Sequence, residues 1–321
     1  MKLSQLKLIP AFVFLVLFSQ CGTTTIIVPV MRPAEINMGK LKKIAVARVT
    51  GEAALDVEED LISQLLEARA YEVLDRANID KILLEYRLSS SDLIDERTAL
   101  QIGKMVGAAA FISARVSDYK YDEQVAQGEP YKDKDGKTHV RHTRNGVAKV
   151  TVNFKITDLT TGKYIYSRDV TDVATAQTFA VDGRPSRIDD DELLKQARRT
   201  VARKFVNKIS PHWENVNVRF LTDSDLPELE SGVSYAKIRE WDRAIELFQS
   251  AAEKYAGHKS RHKAYYNLGV AYECSSQFAD AIAALRKGYD LEPDADYMAE
   301  MENCRWRERE HNKLKEQMKE E

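Results

Sequence analysis

Residues 151–167 read TVNFKITDLTTGKYIYS, and this stretch decides the fold of the larger part of the chain. Two β-rich runs, at 147–158 and 164–173, flank the turn Thr160-Thr161-Gly162-Lys163. A short turn that contains glycine between two such runs is typical of a β-hairpin. The stretch therefore predicts two long strands that pair with each other.

Strands and helices alternate in the residues that precede this hairpin. Buried strands are predicted at the short apolar runs 43–49, 71–74 and 108–116. The helix predicted between the first two strands has one apolar face, formed by Val57, Leu61, Leu65 and Ala68. Two more helices are predicted at 79–86 and at 95–107, before the third strand.

A polar excursion at 118–146 separates the third strand from the hairpin. Its dipeptides Asp135-Gly136 and Asn145-Gly146 are typical of hairpin turns. After the hairpin we predict a basic amphipathic helix at 191–209, which Pro211 ends. Residues 41–210 are therefore predicted as one α/β (α+β) domain, in which helices flank a mixed sheet.

The last third of the chain has a different period. Two sets of small and aromatic residues recur 37 residues apart, against the usual ~34 of a tetratricopeptide repeat. The first set is Gly232, Tyr235, Ala244 and Phe248; the second is Gly269, Tyr272 and Ala281, with Pro293 after it. Small residues let two antiparallel helices approach closely. We therefore predict a linker at 211–226 and all-α tetratricopeptide repeats with a capping helix at 227–321.

The first residues predict export and anchoring. Lys2 and Lys7 precede an apolar run over 8–18, which is typical of a secretory signal peptide, here residues 1–20. The run is too short to cross a bilayer as a helix. The position of Cys21 resembles a bacterial lipobox, in which the cysteine thiol receives a diacylglycerol. We therefore predict a lipid anchor at Cys21 and an extended, lipidated tether over 21–40.

Composition and motifs exclude several classes of function. The chain has 321 residues with a formal net charge of -2, which gives no basic field for nucleic acid. Its three cysteines cannot form a disulfide framework. The sequence contains no glycine-rich phosphate loop and no nucleophile elbow. We therefore expect neither an enzyme nor a cofactor.

Four blocks of the sequence resemble the curli-assembly (CsgG-like) family of envelope lipoproteins. They are PAEI at 33–36 before KKIAVARV, YEVLDRANIDKILLEYRLS at 71–89, DLIDERTALQIGKMVGAAAFISARV at 92–116, and the hairpin sequence at 151–167. Together they extend over most of the domain apart from the polar excursion. Joined to tetratricopeptide repeats, such a domain is also similar to certain spirochaetal outer-membrane lipoproteins.

The resemblance implies a periplasm-facing lipoprotein of the outer membrane that acts by binding and assembly. Its CsgG-like domain would support self-association into a homo-oligomer or docking, and the repeat groove would bind a protein partner. We expect the first helix of each repeat to present Ser234, Asn267 and Val270 to that partner.

Two other functions stay open. The best-known relatives donate two β-hairpins per subunit to an oligomeric secretion channel. In residues 137–144, however, both faces of a strand would carry basic side chains, which do not suit lipid. A haem or metal carrier would use His258 and His262, which are four residues apart but flank a predicted loop. Cys274 and Cys304 would either form a disulfide or remain as buried thiols.

Overall fold

The computed structural model describes residues 22–47, 49–74, 100–101, 103–104, 107 and 109–319. The signal peptide and Cys21 lie outside the described residues. The helix predicted at 79–86 also lies outside them, and most of the one predicted at 95–107 does.

The described chain divides into two compact units. The sheet unit contains the described residues of 31–213 together with 312–319, and the helical unit contains 22–30 and 214–311. The strands are β1 Gly22–Arg32, β2 Lys43–Val46, β3 Glu72–Val73, β4 Ala110–Gln127, β5 Tyr131–Lys132, β6 Thr138–His139, β7 Arg141–Asp158, β8 Tyr164–Val181 and β9 His212–Thr222. The helices are α1 Ala54–Ala68, α2 Asp190–Ile209, α3 Pro227–Lys237, α4 Trp241–Lys254, α5 Arg261–Cys274, α6 Phe278–Leu291 and α7 Ala295–Lys319.

The sheet unit is built on a mixed sheet with the strand order β3-β2-β4-β7-β8. β2 is parallel to both β3 and β4, whereas β7 is antiparallel to its two neighbours, β4 and β8. The predicted hairpin is confirmed as β7 and β8, in which Thr157 pairs with Tyr164 across the turn. The predicted mixed α/β domain is therefore observed.

Helices α1 and α2 cover the base of this sheet. Leu61 and Leu65 of α1 and Phe205 of α2 are fully buried, and the Phe205 ring stacks on Phe154 of β7 with centroids 4.0 Å apart. Asp189 caps α2 by accepting a hydrogen bond from the Glu192 backbone N–H at 3.0 Å. The apolar faces expected from the sequence therefore meet in one core.

The polar excursion is more regular than the sequence predicts. The Asp135-Gly136 turn is confirmed, since Gly136 has φ 79° and its N–H donates to the Asp133 carbonyl at 3.1 Å. The turn predicted at Asn145-Gly146 is wrong, because both residues lie inside β7 opposite Gln124 and Glu123 of β4. A Cβ on Gly146 would lie 2.7 Å from the Tyr121 hydroxyl. Gly146 therefore leaves space for the Tyr121 side chain and does not form a turn.

The helical unit consists of antiparallel helix pairs in which glycines allow close packing. A Cβ on Gly232 of α3 would lie 2.8 Å from Phe248 Cδ1 of α4, and one on Gly269 of α5 would lie 2.5 Å from Leu285 Cγ of α6. Ala244 and Ala281 are fully buried beside these contacts. The spacing of small and large residues therefore has the packing role that the sequence predicts.

Residues of the predicted tether and linker lie in a two-stranded sheet. β1 occupies residues 22–32 of the tether and β9 most of the predicted linker, and the two strands pair. A Cβ on Gly22 would lie 2.5 Å from Thr222 Oγ1, so β1 starts beside the end of β9. Ile26 and Val28 are 7% and 5% exposed in the core of the helical unit. Their burial explains why these residues are not a free tether.

Candidate interaction surfaces

The predicted repeat groove is filled by the chain's own strand β9. Asn267 of α5 is fully buried, and its side-chain amide accepts from the Leu221 N–H and donates to the Leu221 carbonyl, both at 2.8 Å. These two bonds copy the pairing of a neighbouring strand. Asn267 therefore binds backbone, as expected of a groove residue, but the backbone belongs to this chain.

The other two residues predicted for the groove are not available there either. Val270 is 1% exposed and packs in the core. Ser234 is exposed on α3, and its hydroxyl donates to the Glu230 carbonyl of its own helix at 2.9 Å. The structure thus does not bring Ser234, Asn267 and Val270 together on one open surface, because β9 covers α5.

The remaining residues singled out in the repeats mostly serve packing. Phe248 receives Phe220 of β9, with ring centroids 5.8 Å apart. The Tyr272 hydroxyl accepts a hydrogen bond from Gln249 Nε2 at 2.6 Å. Tyr235 is 38% exposed, and Pro293 is exposed between α6 and α7.

An open polar cleft of about 190 Å³ lies next to β9 in the helical unit. Its lining side chains come from β9, α5 and α7 and include Arg219, Tyr266, Glu273, Asp296, Glu300, Asn303 and Arg307. Arg219 pairs with Asp296 at the rim, and its guanidinium lies 5.6 Å from the centroid of the Tyr266 ring. Sequence reasoning missed this cleft.

The floor of the polar cleft is a buried charged network around Glu273. One carboxylate oxygen lies 2.8 Å from Arg307 Nε, and the other accepts from the Cys304 thiol at 2.9 Å. Burial raises the pKa of Glu273 to about 8, a shift that nearby Glu300 reinforces and Arg307 opposes. The Glu273 carboxyl group therefore keeps its proton to a higher pH than an exposed glutamate does. The buried acid in an otherwise apolar stretch of α5 was the available sequence signal.

The second candidate surface is the sheet arm, formed by residues 118–127 of β4, 141–147 of β7 and 171–181 of β8. None of these residues belongs to the fully buried core of the sheet unit, but Tyr119, Tyr121, Ala174 and Ala176 pack against it. On one face Val173 and Phe179 of β8 are 50% and 59% exposed, and the Arg141 guanidinium stacks 4.2 Å from the Phe179 centroid. On the other face Arg144 is buried, pairs with Glu123 and donates to the Pro185 carbonyl at 3.4 Å.

The outer edge of β8 is not paired with another described strand, although the segment after β8 contacts it, since the Thr178 hydroxyl donates to the Ser186 carbonyl at 2.7 Å. Among the described strands, β8 pairs only with β7. Its residues 173–181 read VATAQTFAV, without proline or a charged side chain. Soluble proteins usually protect such edges with lysine, proline or a bulge. The arm therefore presents a strand edge that can pair with another chain.

A histidine at the tip of the arm bridges two carboxylates. His139 Nε2 lies 2.9 Å from Asp133 Oδ2, and His139 Nδ1 lies 2.6 Å from Asp182 Oδ2. Hydrogen bonds to Asp133 and Asp182 raise the pKa of His139. The contact joins the β5–β6 turn to the end of β8, and it is strongest when the imidazole is protonated.

The histidines and cysteines considered from the sequence have other partners. His258 Nε2 lies 3.7 Å from Asp225 Oδ2, and His262 Nδ1 lies 2.9 Å from the Tyr297 hydroxyl. Within the described part of the chain, no three metal-ligating side chains come together. Cys274 and Cys304 are both free thiols. Of the helices in the described ranges, none is both long and apolar enough to cross a membrane.

The chain combines a mixed α/β domain with a helical unit. A comparison with protein families identifies the family to which the first of these belongs. Residues 30–208 match the family described as curli production assembly/transport component CsgG. The match covers more than half of the chain, which therefore belongs to the CsgG family, and the family resemblance is confirmed. Residues 230–316 match a domain of unknown function, DUF6340. No curated protein matches the chain.

Several solved structures are similar to parts of the chain. Lipoprotein GNA1162 from Neisseria meningitidis is 16% identical, over 51% of this chain and 98% of that one, with a TM-score of 0.31. A PelC dodecamer from Paraburkholderia phytofirmans is 15% identical over 56% and 96%, with a TM-score of 0.29. A minor lipoprotein from Acinetobacter baumannii is 16% identical over 53% and 90%, with a TM-score of 0.28.

Proposed function

We propose that this chain is a non-enzymatic lipoprotein of the outer membrane, anchored through Cys21 and facing the periplasm, which acts by binding other proteins. The sheet arm supports self-association, and the helical unit, of the tetratricopeptide type, binds a protein partner at its polar cleft. The observation that carries the proposal is the edge of β8, which is not paired with another described strand, because an uncharged edge of this length favours pairing with another strand.

The arm is tested by placing charge on its edge. Thr175 and Gln177 are both exposed in the middle of the β8 segment, and Thr175→Lys with Gln177→Lys puts two ammonium groups beside any added strand. The wild-type mature chain is expected to associate in a concentration-dependent manner in light scattering, and the double variant to remain a monomer. Thr175→Val is the matched control and should associate like the wild type. A wild-type chain that stays monomeric at the highest soluble concentration contradicts the proposal.

The helical unit is tested by crosslinking in cells followed by mass spectrometry. Asp296→Ala removes the partner of Arg219 at the rim of the polar cleft and leaves the buried network around Glu273 in place. We expect crosslinks from the cleft to a partner protein in the wild type, reduced at least several-fold in the variant. Ser234→Ala on α3 is the control and should leave them unchanged. Crosslinks that are equal in all three chains argue against the cleft.

A further inference from the structure

The first described strand leaves no slack between the anchor residue and the fold. β1 begins at Gly22, directly after Cys21 in the sequence. Gly22 lies beside Thr222, the last residue of β9, since a Cβ on Gly22 would lie 2.5 Å from Thr222 Oγ1. Neighbouring Cα atoms are about 3.8 Å apart. A lipid on Cys21 would therefore leave the protein beside the end of β9.

The rest of β1 is held in the helical unit and cannot extend the connection. Ile26 and Val28 are buried, whereas Thr25 and Ile27 between and beside them are exposed. Releasing the strand would expose both buried side chains to water, which the hydrophobic effect opposes. The end of the helical unit at which β1 begins and β9 finishes would then face the membrane.

Two loops form that end, residues 222–226 and 256–260. His258 Nε2 of the second loop lies 3.7 Å from Asp225 Oδ2 of the first, and Lys263 of α5 holds the first loop through a buried ion pair, with Nζ 2.7 Å from Asp223 Oδ2. The exposed positions include Ser224, Asp225, Gly257 and Lys259. Small and polar positions with one acidic and one basic side chain suit the headgroup layer of a bilayer and not its hydrocarbon core.

We propose that these two loops, together termed the anchor face, lie against the phospholipid headgroups. This inference rests on the lipidation of Cys21 in the proposed function, and it adds the orientation of the helical unit relative to the bilayer. The helical unit is attached to the bilayer directly, at one defined end, and does not hang from a flexible tether.

The test uses the acylated full chain in vesicles of phosphatidylethanolamine and phosphatidylglycerol that carry a headgroup-linked quencher. A fluorophore is placed on Ser224→Cys in one sample and on Asn215→Cys in the other, and the signal from the unsubstituted chain is subtracted. Asn215 precedes Thr222 by seven residues on β9, about 23 Å along a strand. We expect quenching to be several-fold stronger at position 224 than at 215.

Two further variants separate the anchor face from the anchor itself. A Gly/Ser insertion of about ten residues between Cys21 and Gly22 spans about 16–19 Å. It should keep the protein on the vesicles but reduce quenching at 224 to the level at 215. Cys21→Ala should abolish recovery with vesicles, and wild-type failure to be recovered would overturn the lipidation. Recovered protein with equal quenching at both positions, or quenching at 224 that survives the insertion, would overturn the anchor face.

Discussion

Replacing Asn267 by alanine is expected to loosen β9 from the helical unit. The substitution removes two hydrogen bonds of 2.8 Å to Leu221 and leaves the Leu221 N–H and carbonyl without that partner. Each unsatisfied group costs about 1–3 kcal/mol when it is buried. Leu221 is half-buried, so water reaches part of it. We therefore expect the free energy of unfolding to fall by about 2–4 kcal/mol.

Urea unfolding of the protein measures this loss as a lower midpoint with an unchanged slope. Hydrogen exchange localises it, because the Leu221 amide should lose protection before the amides of α5. Asn267→Asp keeps an acceptor for the N–H but turns a carboxylate toward the carbonyl, so its loss should be at least as large. The control Ser234→Ala alters an exposed helix position and should stay within about 0.5 kcal/mol of the wild type. An Asn267→Ala chain as stable as this control, with the Leu221 amide fully protected, would refute the reasoning.

Three further predictions concern the charged networks and the core. Glu273 has its pKa raised by burial to about 8; the folded state therefore binds the extra proton, and stability should fall as the pH rises from about 5 to 8. Glu273→Gln should flatten that part of the curve in urea unfolding at several pH values, and an unchanged slope would contradict the shift. His139 has its pKa raised by Asp133 and Asp182, so its contact stabilises the arm tip at low pH and is lost as the pH rises through that pKa. The Val140 N–H donates to Asp182 Oδ1 at 2.8 Å, so hydrogen exchange at this amide should show the dependence, and His139→Gln should remove it. Phe205→Ala empties a fully buried site stacked on β7 and should cost about 3–5 kcal/mol in thermal unfolding; a loss below 1 kcal/mol would mean that the core closes over the gap.

Local patterns in the sequence predict the elements whose partners are close along the chain. The hairpin of β7 and β8 follows from one glycine-containing turn, and the contact of Gly232 with Phe248 follows from a spacing within one helix pair. The pairing of β1 with β9 does not follow from a local pattern, because Gly22 and Thr222 are 200 residues apart. Each strand contains a largely apolar stretch, at 26–30 and at 216–221, that could pack on another surface. The partner of β1 is set by its pairing with β9 and by the burial of Ile26 and Val28 in the core of the helical unit.

In the candidate interaction surfaces, too, local sequence patterns predict some positions but not the partners that are distant along the chain. Asn267 could be placed on the first helix of the second pair from the repeat spacing, but its two hydrogen bonds to Leu221 of β9 could not be foreseen. The polar cleft depends on residues from three separate elements, with Arg219 on β9 and Glu273 and Arg307 on two helices. Because no short motif contains all three, only the buried acid Glu273 could have drawn attention to the cleft.

The occupied groove has a consequence for how partners bind. A peptide that entered along α5 would have to replace β9, which means breaking the Asn267 bonds and separating β9 from β1. It would also have to expose Phe220, which is fully buried against Phe248. An incoming strand could at best restore what it removes, so exchange offers little net gain in free energy. The surface along α5 therefore acts as a structural clamp on the chain's own strand, and the partner binding that we propose is left to the open polar cleft and the edge of β8.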